Sequence, residues 1–152
     1  MKVLFDIDGS LCHPDPALKK ISKKVAKTNL PWPIIHLGLI LVRQTVDEEM
    51  VDIVNEIYHS EKDDAWINSI RPKQSQKLTQ KFFKKNGVSC CDRIECLGLG
   101  NGPEKKVINA LKKGVDIVVD DDGEVLAMAA EYGMIGCEPD IFKRLYKSGT
   151  FF

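Results

Sequence analysis

Two aspartates near the start of the sequence could carry out covalent chemistry. Asp6 directly follows the apolar run at residues 3–5, and Asp8 comes two residues later. A carboxylate can attack phosphorus to form an acyl phosphate, which divides one difficult displacement into two easier ones. A second carboxylic acid beside it can protonate the leaving oxygen and then deprotonate the attacking water. Gly9 permits the turn that would let both side chains face one site, although the same pattern also occurs in purely structural turns.

Other polar side chains follow apolar runs further along the sequence. Ser69 ends one such run, and residues 120–122, all aspartate, follow another. Because ligands of open parallel sheets bind beyond the carboxyl ends of the strands, these groups are expected to converge with the first aspartates at one edge. Three adjacent aspartates repel one another unless a cation lies among them, and Mg²⁺ prefers oxygen ligands. The alternative interpretation is a solvated acidic turn.

The elements that would position these residues alternate between short apolar runs and longer amphipathic segments. This alternation predicts a Rossmann-like α/β fold, in which a parallel sheet has helices on both faces. The predicted strands are residues 2–5, 65–68, 93–97, 115–119 and 134–136. Helices are predicted at 73–85, between Pro103 and Gly114, and at 124–132. The predicted buried stripe of the middle helix consists of Val107, Ile108 and Leu111.

The segment between the first two predicted strands is too long for a simple crossover. About 50 residues separate these strands, whereas a crossover with its helix needs only about 12. Residues 17–27 and 46–58 both have helical spacing. We therefore predict a small helical cap at about residues 12–62, inserted into a single domain whose core comprises residues 1–11 and 63–152.

The acidic pattern at the start of the sequence resembles a known family motif. VLFDIDGSL at residues 3–11 resembles the first motif of the haloacid dehalogenase (HAD) superfamily, an apolar strand followed by DxDG and threonine or serine. INSIRP at residues 67–72 is similar to the second motif, and IVVDDD at residues 117–122 is similar to the fourth. Lys105 or Lys106, at a predicted helix start, corresponds to the lysine of the third motif. The resemblance implies a HAD-type fold for nearly the whole chain apart from the insert.

The resemblance also implies roles for the matching residues. Asp6 would be the nucleophile, and Asp8 would act as general acid and base. The residues expected to bind the phosphorylated substrate are Ser69, Arg71, Lys105 and Lys106. The expected ligands of Mg²⁺ are Asp6, the backbone carbonyl of Asp8, and Asp120 or Asp121. This set matches the needs of phosphoryl transfer, which depends on positioning and charge stabilisation.

Only one of the two adjacent lysines can point into such a site. Lys105 lies three residues before Ile108, which is predicted to be buried, so the two residues would share a helix face. The sequence therefore favours Lys105 as the catalytic lysine, ahead of Lys106. The glycine-rich segment at residues 98–102 lacks the lysine and hydroxyl residue of a P-loop, so it is interpreted as a connection.

Composition limits the other functions. The 152 residues include 22 basic and 22 acidic side chains, so the overall charge predicts no nucleic-acid partner. Five cysteines without disulfide-type spacing indicate a reducing compartment, and the sequence shows no leader-like segment, which favours the cytoplasm. The longest apolar stretch, residues 34–42, is about half of the roughly 20 residues that a membrane span needs.

The predicted function is magnesium-dependent hydrolysis of a small phosphorylated metabolite through an aspartyl phosphate. The second and fourth motifs are similar to those of the small 5′-nucleotidase-like branch, which implies a nucleotide as substrate. Two alternatives stay open. Lysines at 19, 20, 23, 24 and 27 would suit a polynucleotide 3′-phosphatase. The fold could also belong to a non-catalytic binding or regulatory protein. The sequence does not indicate an oligomeric state.

Overall fold

The structure, a computed structural model, describes residues 1–14 and 44–151 of the chain. The strands in these two ranges are β1 (Lys2–Asp6), β2 (Cys12–Pro14), β3 (Gln44–Val46), β4 (Asp64–Ser69), β5 (Ile94–Cys96), β6 (Ile117–Val119) and β7 (Ile135–Cys137). The α-helices are α1 (Glu48–His59), α2 (Gln76–Lys85), α3 (Gly102–Lys113), α4 (Gly123–Glu131) and α5 (Pro139–Lys147). None of these helices has the length and apolar character needed to cross a membrane.

Five of the strands form one parallel sheet in the order β5-β4-β1-β6-β7, and β2 pairs with β3 in a separate antiparallel ribbon. β1 is the central strand, and its Phe5 lies beside Ile67 of β4 and Val119 of β6. The five predicted strands are confirmed, although β5 is shorter at both ends, β6 begins two residues later than expected and β7 is shifted by one residue. Because β1 is central, Asp6 at its end lies in the middle of the carboxyl edge of the sheet.

Helices cover both faces of this sheet, which confirms the predicted α/β architecture. Successive residues of a strand point to opposite faces, so each strand contributes to two hydrophobic clusters. On one face, α1, α2 and α5 pack in a cluster that includes Phe5, Phe83 and Phe142. On the other face, α3 and α4 pack in a cluster that includes Leu4 and Val118. Packing on both faces fixes β1 and therefore the position of the residues at its end.

Helix α1 belongs to this core rather than to a cap. Its Met50 and Ile57 are 0% and 1% exposed and pack in the same cluster as β1. Asp47 caps its first turn, because the side chain accepts a hydrogen bond from the Met50 backbone N–H at 3.0 Å. The assignment of residues 46–58 to a cap is wrong, since an amphipathic stripe packs equally well on a sheet or on a lid. The other predicted cap helix, at 17–27, lies outside the described residues.

Helix α3 is rotated relative to the predicted buried stripe. Val107 is buried as expected, but Ile108 and Leu111 are 42% and 41% exposed. Lys106 and Ala110 take the buried positions instead. The prediction of a stripe that includes Ile108 and Leu111 is therefore wrong, because this helix turns a lysine rather than an apolar residue toward the sheet edge.

A side chain covers the outer edge of β5, the last strand on one side of the sheet. The Gln76 amide donates a hydrogen bond to the Ile94 carbonyl oxygen and accepts one from the Cys96 backbone N–H at 2.6 Å. These two backbone groups therefore pair with a glutamine instead of with another strand. A groove of about 560 Å³ lies along this edge, between α2 and α3.

Candidate active site

The turn after β1 keeps Asp8 at the carboxyl edge of the sheet. The backbone N–H groups of residues 11–12 both donate to the Ile7 carbonyl oxygen, at 3.0 and 2.8 Å. Gly9 has a φ of +102°, a conformation that favours glycine. A Cβ at this position would also collide with the Asp121 carboxylate. The turn therefore needs glycine both for its backbone geometry and for the approach of an acid from the loop after β6.

Lys106 joins two buried acids. Its Nζ lies 2.9 Å from Asp6 Oδ1 and donates to Asp120 Oδ2 at 2.7 Å. The Lys106, Asp6 and Asp120 side chains are 9%, 3% and 1% exposed. The lysine thus links the end of β1 to the end of β6, which are neighbouring strands of the sheet.

Lys105 does not reach these acids. Its Nζ donates to the carbonyl oxygens of Gly98 and Leu99, at 3.3 and 2.6 Å. The structure contradicts the preference for Lys105 as the catalytic lysine, because that preference depended on a buried Ile108, which is exposed. The segment at residues 98–102, interpreted as a connection, also contributes Leu99 to the lining of the cavity.

Negative charge exceeds positive charge around Asp6. The pKa of its carboxyl group is raised to about 8, chiefly by burial and then by the charge of Asp120, against the lowering effect of Lys106. Burial also raises the pKa of Asp120, again against Lys106. Burial acts to lower the pKa of Lys106, but the two carboxylates outweigh it and raise that pKa. Two acids therefore share one lysine, and this edge can accept further positive charge.

Three carboxylates form a group that could hold a metal ion. One oxygen each from Asp6, Asp120 and Asp121 lie within 4.8 Å of one another. A donor set of oxygens alone fits a hard cation such as Mg²⁺, and the raised pKa of Asp6 shows that Lys106 does not offset burial and the charge of Asp120. Asp122 has a different task, since its side chain caps α4 by accepting a hydrogen bond from the Glu124 backbone N–H at 2.9 Å.

Ser69 and Arg71 both bind the Asp8 carboxylate. Ser69 Oγ donates to Asp8 Oδ2 at 3.1 Å. Arg71 Nε and Nη2 donate to Asp8 Oδ2 and Oδ1, at 3.0 and 2.6 Å. Arg71 Nη2 also donates to Gln44 Oε1 at 2.8 Å. Sequence reasoning missed Gln44, because it lies 27 residues away from its partner and no local pattern marks it.

The cavity at this edge has a volume of about 310 Å³. Its polar lining includes Asp6, Asp8, Ser69, Arg71, Lys106 and Asp121. Ile70 and Leu99 supply apolar wall. The predicted site residues therefore meet at the carboxyl edge as expected, with Asp120 in contact with Lys106 and with Lys105 as the exception.

Comparison with known proteins finds a similarity at the level of structure. No family model and no curated protein matches the sequence. Among solved structures, the chain is similar to a HAD family hydrolase from Deinococcus radiodurans R1, which was crystallised with bound phosphate and sodium. The two share 15% sequence identity over 90% of this chain and 79% of that chain, with a TM-score of 0.55. This chain has the haloacid dehalogenase fold.

The haloacid dehalogenase fold accounts for the spacing of the four sequence motifs. Two motifs end the adjacent strands β1 and β4, one follows β6 on the other side of β1, and the lysine comes from the first turns of α3. Residues up to 115 positions apart, such as Asp6 and Asp121, thereby face one cavity. In an open parallel sheet this edge is where ligands bind.

Proposed function

We propose that the chain is a HAD-type hydrolase that cleaves phosphomonoesters with Asp6 as the nucleophile. The observation that carries the proposal is the position of Asp6, which is buried, lies 2.9 Å from Lys106 Nζ and lines the cavity. A phosphoryl group in that cavity would meet a carboxylate, an ammonium group and the hydroxyl of Ser69, the groups that phosphoryl transfer needs. The solved HAD family hydrolase with bound phosphate supports the choice of phosphate as the ligand.

The proposed reaction has two steps. An Asp6 carboxylate oxygen attacks phosphorus, the bond between phosphorus and the ester oxygen breaks, and Asp8 gives a proton to the leaving oxygen. Water then attacks the aspartyl phosphate and passes a proton to Asp8, which releases inorganic phosphate and restores Asp6. Lys106 neutralises charge on the phosphoryl oxygens and orients Asp6 in both steps.

Mg²⁺ is the proposed cofactor of this reaction. Asp6, Asp120 and Asp121, together with the backbone carbonyl of Asp8, would hold it. When bound, the ion would neutralise charge on the phosphoryl oxygens as a Lewis acid. The oxygen-only donor set and the shared lysine support this choice.

The proposed substrate is a small phosphorylated metabolite, such as a nucleoside monophosphate. A cavity of about 310 Å³ is at the lower end of the range for small-molecule sites. The similarity of residues 67–72 to the nucleotidase-like branch supports a nucleotide. Measuring kcat/KM for a mononucleotide and for a 3′-phosphorylated oligonucleotide over a salt series tests this choice. A higher value for the oligonucleotide that falls steeply with salt would favour a polynucleotide phosphatase.

The state of the cysteines supports the cytoplasm as the proposed compartment. All five are free, and Cys12, Cys90, Cys96 and Cys137 are buried. Burial raises the pKa of the Cys12 and Cys90 thiols to about 12, so these groups stay protonated and unreactive.

The nucleophile can be identified directly. The protein should hydrolyse p-nitrophenyl phosphate in the presence of Mg²⁺, lose this activity with a chelator and regain it when Mg²⁺ is restored. Acid quenching during turnover, followed by mass spectrometry, should locate a phosphoryl group on the peptide that contains Asp6. A phosphorylated peptide from elsewhere, or no hydrolysis across a panel of phosphomonoesters, would contradict the proposal.

A further inference from the structure

Arg71 binds both oxygens of the Asp8 carboxylate and so fixes its orientation. Two parallel N–H···O bonds, from Nε and Nη2 of Arg71, reach its two oxygens at 3.0 and 2.6 Å. A bidentate pair of this kind fixes the plane of the carboxylate as well as its distance. Ser69 adds a third hydrogen bond at 3.1 Å. Arg71 and Ser69 therefore hold the group that is expected to give a proton to the leaving oxygen, and all three residues line the cavity.

Arg71 is poorly placed to bind the phosphoryl group itself. Its side chain is 1% exposed, whereas that of Asp8 is 46% exposed. Nη2 is used by Asp8 and Gln44, and Nη1 is buried with no hydrogen-bond partner in the described part of the chain. Burial acts to lower the pKa of Arg71, but the hydrogen bonds and charge of Asp8 outweigh it, so the guanidinium stays charged. Arg71 lines the cavity, but almost none of its side chain is accessible to an incoming phosphate, whereas about half of the Asp8 side chain is exposed.

Gln44 connects the arginine to the same turn that carries Asp8. Its Oε1 accepts a hydrogen bond from Arg71 Nη2 at 2.8 Å. Gln44 belongs to β3, which pairs with β2, and β2 begins at Cys12, where a β-bridge to Asp8 is formed. The ribbon and the turn thus bring Gln44 and Asp8 to the same nitrogen, Nη2, of the Arg71 guanidinium.

We propose that Arg71 is a positioning residue that orients Asp8 for proton transfer, and that Gln44 holds Arg71 in place. This inference rests on the proposed function, because it gives Asp8 its role. It replaces the expectation that Arg71 binds the substrate, which the test below treats as the competing outcome.

The two roles predict different losses of kcat/KM for substrates with different leaving groups. A nitrophenolate leaves without a proton, whereas an alkoxide needs one from Asp8 as the phosphorus–oxygen bond breaks. A residue that acts through Asp8 therefore matters for alkyl phosphates and much less for p-nitrophenyl phosphate. A residue that binds the phosphoryl group matters equally for both. The kinetic parameter to compare is kcat/KM, since it reports the steps up to departure of the leaving group.

The first variant is Arg71→Met, assayed with p-nitrophenyl phosphate and a primary alkyl phosphate. We expect kcat/KM to fall about 100-fold for the alkyl ester, the loss typical of a misplaced catalytic group, and less than about 5-fold for the aryl ester. The inhibition constant of inorganic phosphate should change by less than about 2-fold. Equal losses for both esters, with weaker inhibition by phosphate, would overturn the proposal and make Arg71 a substrate ligand.

A double-mutant cycle adds an independent measurement. In an Asp8→Asn background, Arg71→Met should reduce kcat/KM for the alkyl ester by less than about 3-fold, because its target is already gone. Losses that multiply would overturn the proposal. Arg93→Met is the matched control, since Arg93 forms an ion pair with Asp64 outside the site. It should leave the ratio of the two substrates unchanged.

Removal of Arg71 can lower stability, because its buried side chain bonds both Asp8 and Gln44. Gln44→Leu avoids this difficulty. We expect it to keep the wild-type melting temperature within a few degrees and to lower kcat/KM for the alkyl ester by about 5-fold, with the aryl ester unaffected. No effect on either substrate, or an equal effect on both, would overturn the inference. If the wild-type protein hydrolyses neither ester, the proposed function itself fails.

Discussion

Asp6 and Asp47 each lie 2.9 Å from a lysine Nζ, yet their surroundings have opposite effects on charge. Asp6 shares Lys106 with a second buried acid, Asp120. Asp47 accepts hydrogen bonds from its lysine, Lys143, and also from the Met50 backbone N–H and the His13 ring. The first carboxylate shares its one lysine with a second acid, and the second carboxylate accepts hydrogen bonds from three donors.

The pKa values follow this difference. The pKa of Asp6 is raised to about 8, chiefly by burial and the charge of Asp120. Burial also acts to raise the pKa of Asp47, but the hydrogen bonds of Lys143 and Met50 outweigh it and lower that pKa. A salt-bridge distance alone therefore does not tell whether an ion pair stabilises the fold. The Asp47 pair stabilises the first turn of α1. The pKa of Asp6 is shifted far from its usual value, which is typical of residues in functional sites.

The largest difference between the two aspartates should appear in turnover. Asp6→Asn should lower kcat for p-nitrophenyl phosphate at least about 10³-fold, because an amide cannot form the acyl phosphate. Asp47→Asn should keep kcat within about 2-fold when assayed well below its melting temperature. Steady-state kinetics at saturating Mg²⁺ is the measurement. Activity near the wild-type level in Asp6→Asn would show that Asp6 is not the nucleophile.

The two adjacent lysines give the next largest effect. Lys106→Met should lower kcat about 10² to 10³-fold, because it removes the only cation that contacts both Asp6 and Asp120 in the described part of the site. Lys105→Met removes hydrogen bonds to two carbonyl oxygens and should stay within about 5-fold. Parallel kinetics and thermal melts of the two variants check this. The reverse order would restore Lys105 as the catalytic lysine.

Stability should show the opposite ranking from turnover. Asp47→Ala should lower the free energy of unfolding by about 1–2 kcal/mol, because α1 loses its N-cap and Lys143 loses a partner. Asp6→Asn should leave this free energy unchanged or raise it in chelator, since an amide takes up no proton on folding at pH 7, whereas a carboxyl group with a pKa of about 8 does. Urea titrations at pH 7 with a chelator measure both. A larger loss in Asp6→Asn than in Asp47→Ala would show that the Asp6 pair stabilises the fold.

The pH dependence of stability should also differ between Asp6 and Asp47. The raised pKa of Asp6 means that its contribution is fully present below its unfolded value of 3.8 and is lost as pH rises toward about 8. The lowered pKa of Asp47 means that its contribution is present above 3.8 and is lost as pH falls through the folded-state value. Unfolding free energies from pH 3 to 9 in chelator, for wild type, Asp6→Asn and Asp47→Asn, should show each slope disappear with its own aspartate.

The parallel sheet and the position of Asp6 could be predicted because they depend on local patterns. Apolar runs that end in acids are visible in the sequence, and topology then brings the strand ends together. The choice between Lys105 and Lys106 could not be made in this way. It depends on the rotation of α3 by one residue, and an exposed Ile108 has the same sequence signature as a buried one.

Long-range contacts between side chains could not be predicted from the sequence either. The helix α1 was expected in a cap because its amphipathic stripe does not reveal which surface it covers. Gln44 carries no sign of its contact with Arg71, since the contact exists only after β3 pairs with β2. Patterns identify which residue types can do chemistry, whereas packing decides which of them meet.

Gln76 has a consequence for how copies of the chain behave at high concentration. The unpaired backbone N–H and C=O groups of an uncovered edge strand can form hydrogen bonds with a strand of another chain, which leads to dimers or to fibrous aggregates. The glutamine amide already satisfies the Ile94 carbonyl oxygen and the Cys96 N–H, so a visiting strand would have to displace it. The Gln76 side chain therefore blocks the addition of another strand to β5 until it is displaced. Gln76→Ala, which leaves the cavity untouched, should promote self-association that light scattering can detect.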